Sequence, residues 1–159
     1  MTVMCGGSEA DYAKVEPIIK AYARQSRLMG PCGAGQLTKM VNQICIAGIV
    51  QGLSEALSFA RGSRLDPAAV VEVISKGAAQ SWQMENRYKT MLAGEFAHGF
   101  AVEWMRKDLA ICLDEARRSG VSLPLTALVD QFYADVEKMG GYRWDTSSLF
   151  ARMEKLRGA

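Results

Sequence analysis

At 159 residues the chain has the length of one ordinary domain, and such a chain buries roughly 70% of its unfolded surface without staples. It is 49% hydrophobic and 23% charged, which excludes disordered, collagen-like and coiled-coil classes. Nineteen basic against seventeen acidic residues leave a formal charge of +2, too weak a field to make nucleic acid the partner. In chain order, Thr2-Val3-Met4-Cys5 is a β-prone run turned by Gly6-Gly7. Ser8, with Asp11 three residues on, has the spacing of a capping box, and it opens a helix through Tyr12, Val15, Ile18, Ile19 and Tyr22. A kink is expected at Pro17. Arg27-Leu28-Met29 is a second β-prone run. Strand, helix, strand is a crossover unit, yet two parallel strands cannot cover their own faces. Residues 1–30 are therefore predicted to be the remnant of a larger α/β domain.

Only helices are predicted over residues 31–159. The first runs from Ala34 to Arg61, and its centre, Ile44 to Val50, is apolar on every side, which predicts a helix surrounded by others. Asp66-Pro67 opens the next, to about Lys76, with Gly77 closing it. Further helices are expected at Ser81–Leu92, Glu103–Ser119 and Pro124–Met139. Asp145 or Thr146 caps a last one, from Ser147 to Leu156. The fold class is all-α, a helical bundle around one long central helix.

Cys5, Cys32, Cys45 and Cys112 are scattered and His98 is the one histidine, so no short Cys/His pairs are available for zinc and a catalytic triad would have to use His98. This usage suits a reduced, cytoplasmic chain with no metal. The longest apolar run, Ile44 to Val50, is far short of a bilayer span, and Met1 opens no signal peptide, so no membrane is expected.

Gly30-Pro31-Cys32-Gly33-Ala34-Gly35 joins a short strand to the long helix. The spacing is not G-x-G-x-x-G, and no Lys-Ser or Lys-Thr follows, so a phosphate loop is disfavoured against a close-packing hinge. One turn later, Gly35, Lys39 and Asn42 share a helical stripe, with Gln43 beside them. A lysine entering an apolar bundle either snorkels at the rim or has a chemical task. Gly35 removes bulk so that another molecule can approach the ammonium, and Asn42 and Gln43 add amide donors and acceptors. From spacing alone, general acid/base catalysis and a rim lysine both stand.

Gly30 to Gln36 followed by Lys39-Met40-Val41-Asn42-Gln43 resembles the central-helix signature of the β-hydroxyacid dehydrogenases. Thr2 to Gly7 resembles the end of that family's nucleotide-binding Rossmann domain. Glu55-Ala56, Leu65-Asp66-Pro67, and Phe100 before Lys107-Asp108-Leu109 fall in the expected order. The resemblance implies the C-terminal, helical part of an enzyme using NAD or NADP on a small 3-hydroxyacid, and inactive without the dinucleotide fingerprint. It implies Lys39 as general acid/base, Asn42, Gln43, Gly35 and Trp82 at the substrate, and Lys107 and Asp108 at the cofactor. For Trp82 a core tryptophan is the alternative; for Asp108, positioning Lys107 and taking a surface partner stand equal. In the decarboxylating branch a glutamate assists proton transfer where this chain has Ile46, so decarboxylation is not expected. The orphaned strands and the apolar central helix predict a homodimer or larger homo-oligomer. The alternative reading is a non-catalytic all-α dimerisation module derived from this family.

Overall fold

The structure, a computed structural model, describes residues 1–158. Two compact units divide it, Met1–Gln43 and Ile44 onward. In the first, β1 (Thr2–Cys5) and β2 (Gln25–Leu28) pair in parallel across α1 (Glu9–Lys20), with Thr2 opposite Gln25 and Cys5 opposite Leu28. The second strand lies slightly earlier than its β-prone residues suggested, because the pairing register with β1 sets its ends. Ser8 caps α1, accepting from the Asp11 amide at 3.1 Å, and the helix runs on through Pro17. Ile19 is buried, whereas Val15 and Ile18 on the same helix are exposed.

α2 (Ala34–Gly62) is the longest helix and contributes to both units. It departs from the expectation of a helix surrounded by others. Ala47, Val50, Leu53 and Leu57 are buried, but Leu37, Val41, Ile49 and Phe59 are exposed at helical spacing. Within the second unit, Ala47, Val50, Leu53 and Leu57 enter the core clusters while Ile49 and Phe59 stay outside them, so a sequence apolar all round leaves apolar side chains uncovered. By length and composition α2 would suffice to cross a bilayer, which the short Ile44–Val50 run alone did not suggest; half of its apolar window is buried, as in a core helix.

The second unit is completed by α3 (Pro67–Ile74), α4 (Trp82–Ala93), α5 (Val102–Ser119), α6 (Pro124–Lys138), a short 3₁₀ turn at Thr146–Ser148 and α7 (Leu149–Arg157). Asp66 caps α3 through the Ala68 amide, and Ser81 caps α4 through the Met84 amide. One core cluster joins Val50, Met105, Leu109, Val129, Tyr133 and Leu149; a second joins Leu57, Val71, Met84, Met91, Phe96 and Phe150. Tyr133 is fully buried and donates its hydroxyl hydrogen to the Thr146 carbonyl at 3.2 Å.

α5 begins without a side-chain cap. Its first amides, Val102 and Glu103, donate instead to the Trp144 and Tyr142 carbonyls. The last helix starts later than expected because Asp145 caps the 3₁₀ turn, which then runs into α7. Two polar latches hold α7: Arg61 and Ser58 of α2 on Glu154, and Arg152 on Asp135 of α6.

Candidate active site

The glycine-rich turn delivers the chain from β2 into α2. Gly7 N–H donates to the Gly30 carbonyl at 2.9 Å, and Ala34 N–H to Pro31 at 3.0 Å. Gly35 is buried in the first turn of α2. A Cβ there would lie 2.5 Å from the Met4 carbonyl oxygen and 3.1 Å from the Cys5 carbonyl carbon. The space that glycine leaves is thus taken by the chain's own backbone, not by an approaching molecule, because β1 crosses directly over the helix start. This agrees with the close-packing reading of the turn.

One turn on, three polar side chains converge. Lys39 Nζ donates to Gln43 Oε1 at 2.9 Å, and Asn42 Nδ2 donates to the same oxygen at 2.8 Å. Gln43 is 2% exposed, whereas Lys39 and Asn42 are exposed. A buried carbonyl oxygen therefore gathers an ammonium and an amide on the outer face of the helix. The Lys39 bond spans i to i+4, the spacing at which helix side chains meet. The sequence placed these residues together; it did not show that Gln43 is the buried hub. A further turn along α2, Ile46 is packed against the first core cluster.

The remaining predicted residues lie in the second unit. Lys107 Nζ pairs with Asp108 Oδ1 at 2.7 Å; the lysine side chain is 64% exposed and that of Asp108 largely buried. Trp82, the first residue of α4, is 57% exposed, so the core alternative fails. Capping by Ser81 turns α4 at this point and leaves the indole outside the Met84–Met91 core face. Arg87 stacks on it, 4.9 Å from the ring, and pairs with the buried Asp145. Sequence reasoning missed Arg87 altogether and read Asp145 only as a cap; no short spacing connects them.

An open cavity of about 940 Å³, lined by Arg61, Met91, Phe96, His98, Trp144 and Phe150 among others, contains none of the predicted site residues. Two of its polar groups bond within the chain itself: Arg61 with Glu154 and the Leu92 carbonyl, His98 with the Glu95 carbonyl. Among the described residues no group of three His, Cys, Asp or Glu is arranged to hold a metal.

Residues 33–153 match the family described as the NAD-binding domain of NADP-dependent 3-hydroxyisobutyrate dehydrogenase. An uncharacterized oxidoreductase of Shewanella frigidimarina is 66% identical over 99% of this chain and 54% of its own length. The 2-(hydroxymethyl)glutarate dehydrogenase of Eubacterium barkeri is 32% identical over 99% of this chain and 53% of its own. Among solved structures, 3-hydroxyisobutyrate dehydrogenase from Salmonella typhimurium superposes with a TM-score of 0.85 at 27% identity, covering 95% of this chain and 53% of that one. The chain thus spans about half the length of the relatives it matches.

Proposed function

Because the chain belongs to the NADP-dependent 3-hydroxyisobutyrate dehydrogenase family, we propose that it is the helical part of a cytoplasmic NAD(P)-dependent enzyme that reversibly oxidises a small 3-hydroxyacid to its semialdehyde or oxoacid. The observation that carries this reading is the Lys39–Gln43–Asn42 cluster. Oxidising a secondary or primary alcohol needs a base at the hydroxyl and a hydride acceptor at the carbon that bears it. The nicotinamide ring supplies the hydride acceptor when bound. Lys39, in its amine form, takes the hydroxyl proton as the carbon–oxygen bond becomes a carbonyl, and returns it in the reverse direction. Asn42 hydrogen-bonds the substrate. Gln43 keeps the two side chains at a fixed separation by accepting from both.

Lys107 fits contact with the cofactor by the chemistry of its donors. An ammonium carries three N–H groups. The Asp108 pair fixes its position and leaves capacity for a phosphate or carboxamide oxygen. The family resemblance assigns Trp82 a substrate-binding role as well. The reaction stops at the carbonyl acid, since Ile46, packed into the core, moves no proton. Two copies associate through the exposed apolar residues of α1 and α2. The 159 residues alone are inactive, as no G-x-G-x-x-G occurs among them.

The test is a chimaera joining the N-terminal half of the Shewanella frigidimarina relative to this chain. It should reduce NAD+ or NADP+ with at least one of a panel of 3-hydroxyacids. A folded, cofactor-binding chimaera inert toward the whole panel would instead favour a dimerisation module without catalysis.

A further inference from the structure

The open cavity of about 940 Å³ has an apolar floor: Met91 and Phe150 are buried, and the Phe96 and Trp144 rings lie 5.8 Å apart. Apolar and aromatic side chains around a cleft of this volume are the usual walls of a small-molecule site. Met139 and Lys155 line it and also line a second cavity, of about 490 Å³, whose other walls are Asp135, Lys138, Arg152 and Leu156. Both cavities are formed by residues of the second unit. An apolar chamber thus adjoins a cationic one.

Among the described residues, three cations and one carboxylate line the second cavity. Asp135 accepts from Arg152 Nε at 3.0 Å and from Lys138 Nζ at 3.3 Å. The Arg152 side chain is only 14% exposed, and its guanidinium carbon sits 3.9 Å from the centre of the Phe132 ring. Its Nη groups donate to nothing among the described residues. A guanidinium held by a ring and a carboxylate, with its outer donors left over, is preorganised for bidentate pairing with a phosphate. Lys155 follows Arg152 at i+3 on α7, so the two share a face, and its ammonium has no side-chain partner among the described residues. The two carboxylates of the first cavity do not line the second: Glu154 is paired with Arg61 and Arg157, and Glu95 lies beyond the end of α4.

We propose that the paired cavities bind an aliphatic phosphate monoester as a free small molecule, its chain on the Met91–Phe96–Trp144–Phe150 floor and its phosphate among Arg152, Lys138 and Lys155. A phosphate monoester carries close to two negative charges at neutral pH, which matches the excess of three cations over Asp135. A carboxylate head would leave one of those cations unmatched, and a cationic head would be repelled.

Calorimetric titration of the 159-residue chain tests it. Octyl phosphate, kept below its micelle concentration, should bind about tenfold or more tightly than butyl phosphate, since each buried methylene is worth about fourfold in affinity. It should exceed octanol by about tenfold or more as well, because octanol lacks the charged head. In nitrogen–proton spectra the W144F variant identifies the Trp144 indole signal, which octyl phosphate should shift and inorganic phosphate should not. K155E changes a side chain with no partner to lose, so its circular dichroism should stay that of the wild type while octyl phosphate binds about tenfold or more weakly. R152K keeps the charge but not the fork, and should weaken binding about threefold or more. Octyl phosphate bound no better than butyl phosphate or octanol, an unmoved Trp144 signal, or an affinity unchanged in either K155E or R152K overturns the proposal. A chain that sediments with phosphatidic acid vesicles but leaves monomeric octyl phosphate unbound overturns it in favour of a membrane surface. A K155E variant that changes size in light scattering, with octyl phosphate affinity unaltered, overturns it in favour of a second copy seated on the cavities.

Discussion

Lys39 and Asn42 share one acceptor, and that arrangement separates what each contributes. Lys39→Ala in the chimaera should lower kcat by about 100-fold or more, the scale of general acid/base catalysis, while cofactor affinity measured by fluorescence titration stays within error. Near-normal kcat would remove Lys39 from the chemistry. Gly35→Ala acts by a different route: a methyl group has to enter the space held by the Met4 and Cys5 backbone. Overpacking of that kind costs about 1–3 kcal/mol, to be read from urea unfolding. The stripe of Gly35, Lys39 and Asn42 was legible from helical spacing alone, because i, i+4 and i+7 residues share a face whatever surrounds them. Close packing at the glycine-rich turn was legible from its spacing, but not which backbone fills the space at Gly35, since that comes from another element. Nor was Arg87, whose partners Trp82 and Asp145 meet it only after α4 and the 142–148 segment have packed.

At the scale of elements, the α-helices were visible in the sequence through caps and breakers: Ser8 and Asp66 cap as their residue types suggest, while Ser81, expected as the first helical residue, is the cap of α4. At the start of α5, Ala101 offers no cap and carbonyls from the 142–144 segment accept the first amides. Long-range backbone caps leave no sequence signal. The latches on α7 make its docking pH-dependent. Burial pushes the Glu154 carboxyl up, but hydrogen bonds from Arg157, Arg61 and Ser58 outweigh it and hold the group below its ordinary value. Asp135 is likewise lowered, first by Arg152 and then by Lys138. Carboxyls depressed in the folded state contribute stability that is present above their unfolded values, about 4, and is lost as the pH falls through the lower folded ones. The midpoint of urea unfolding should therefore drop on acidification below about pH 4, and the drop should be smaller in E154Q. Equal acid sensitivity of wild type and E154Q would remove Glu154 as a latch.

For the whole molecule, the uncovered apolar residues of α2 matter most. Large apolar side chains left exposed on one helix in this way favour association with a partner. Light scattering should give a dimer or larger for the wild-type chain, and a shift toward monomer for V41D/F59D, both positions being exposed in the single copy. A monomeric wild type would sink the association. The sequence revealed the length of α2 and its apolar character but not which side stays bare, because that depends on where α3 to α7 come to rest. Decarboxylation belongs to this scale too, as a property of the assembled enzyme. With carboxyl-labelled substrate, release of labelled carbon dioxide should match the enzyme-free rate of the oxoacid product. Release keeping pace with cofactor reduction would contradict the reading of Ile46.

The buried tyrosine of α6 gives the protein an optical property of its own. Burial first, and then the nearby Asp145 charge, push the Tyr133 phenol far above its ordinary range, so it does not ionise while its surroundings are intact. A phenol raised in this way favours the folded state below the unfolded value, about 10, and that contribution drains away as the pH climbs toward the folded value. In an alkaline titration followed at the tyrosinate band, Tyr133 should therefore stay dark until the α6 core opens. Its late absorbance step should coincide with loss of helical circular dichroism, and Y133F should abolish that step, which makes one ring an intrinsic clock for the melting of this bundle in base.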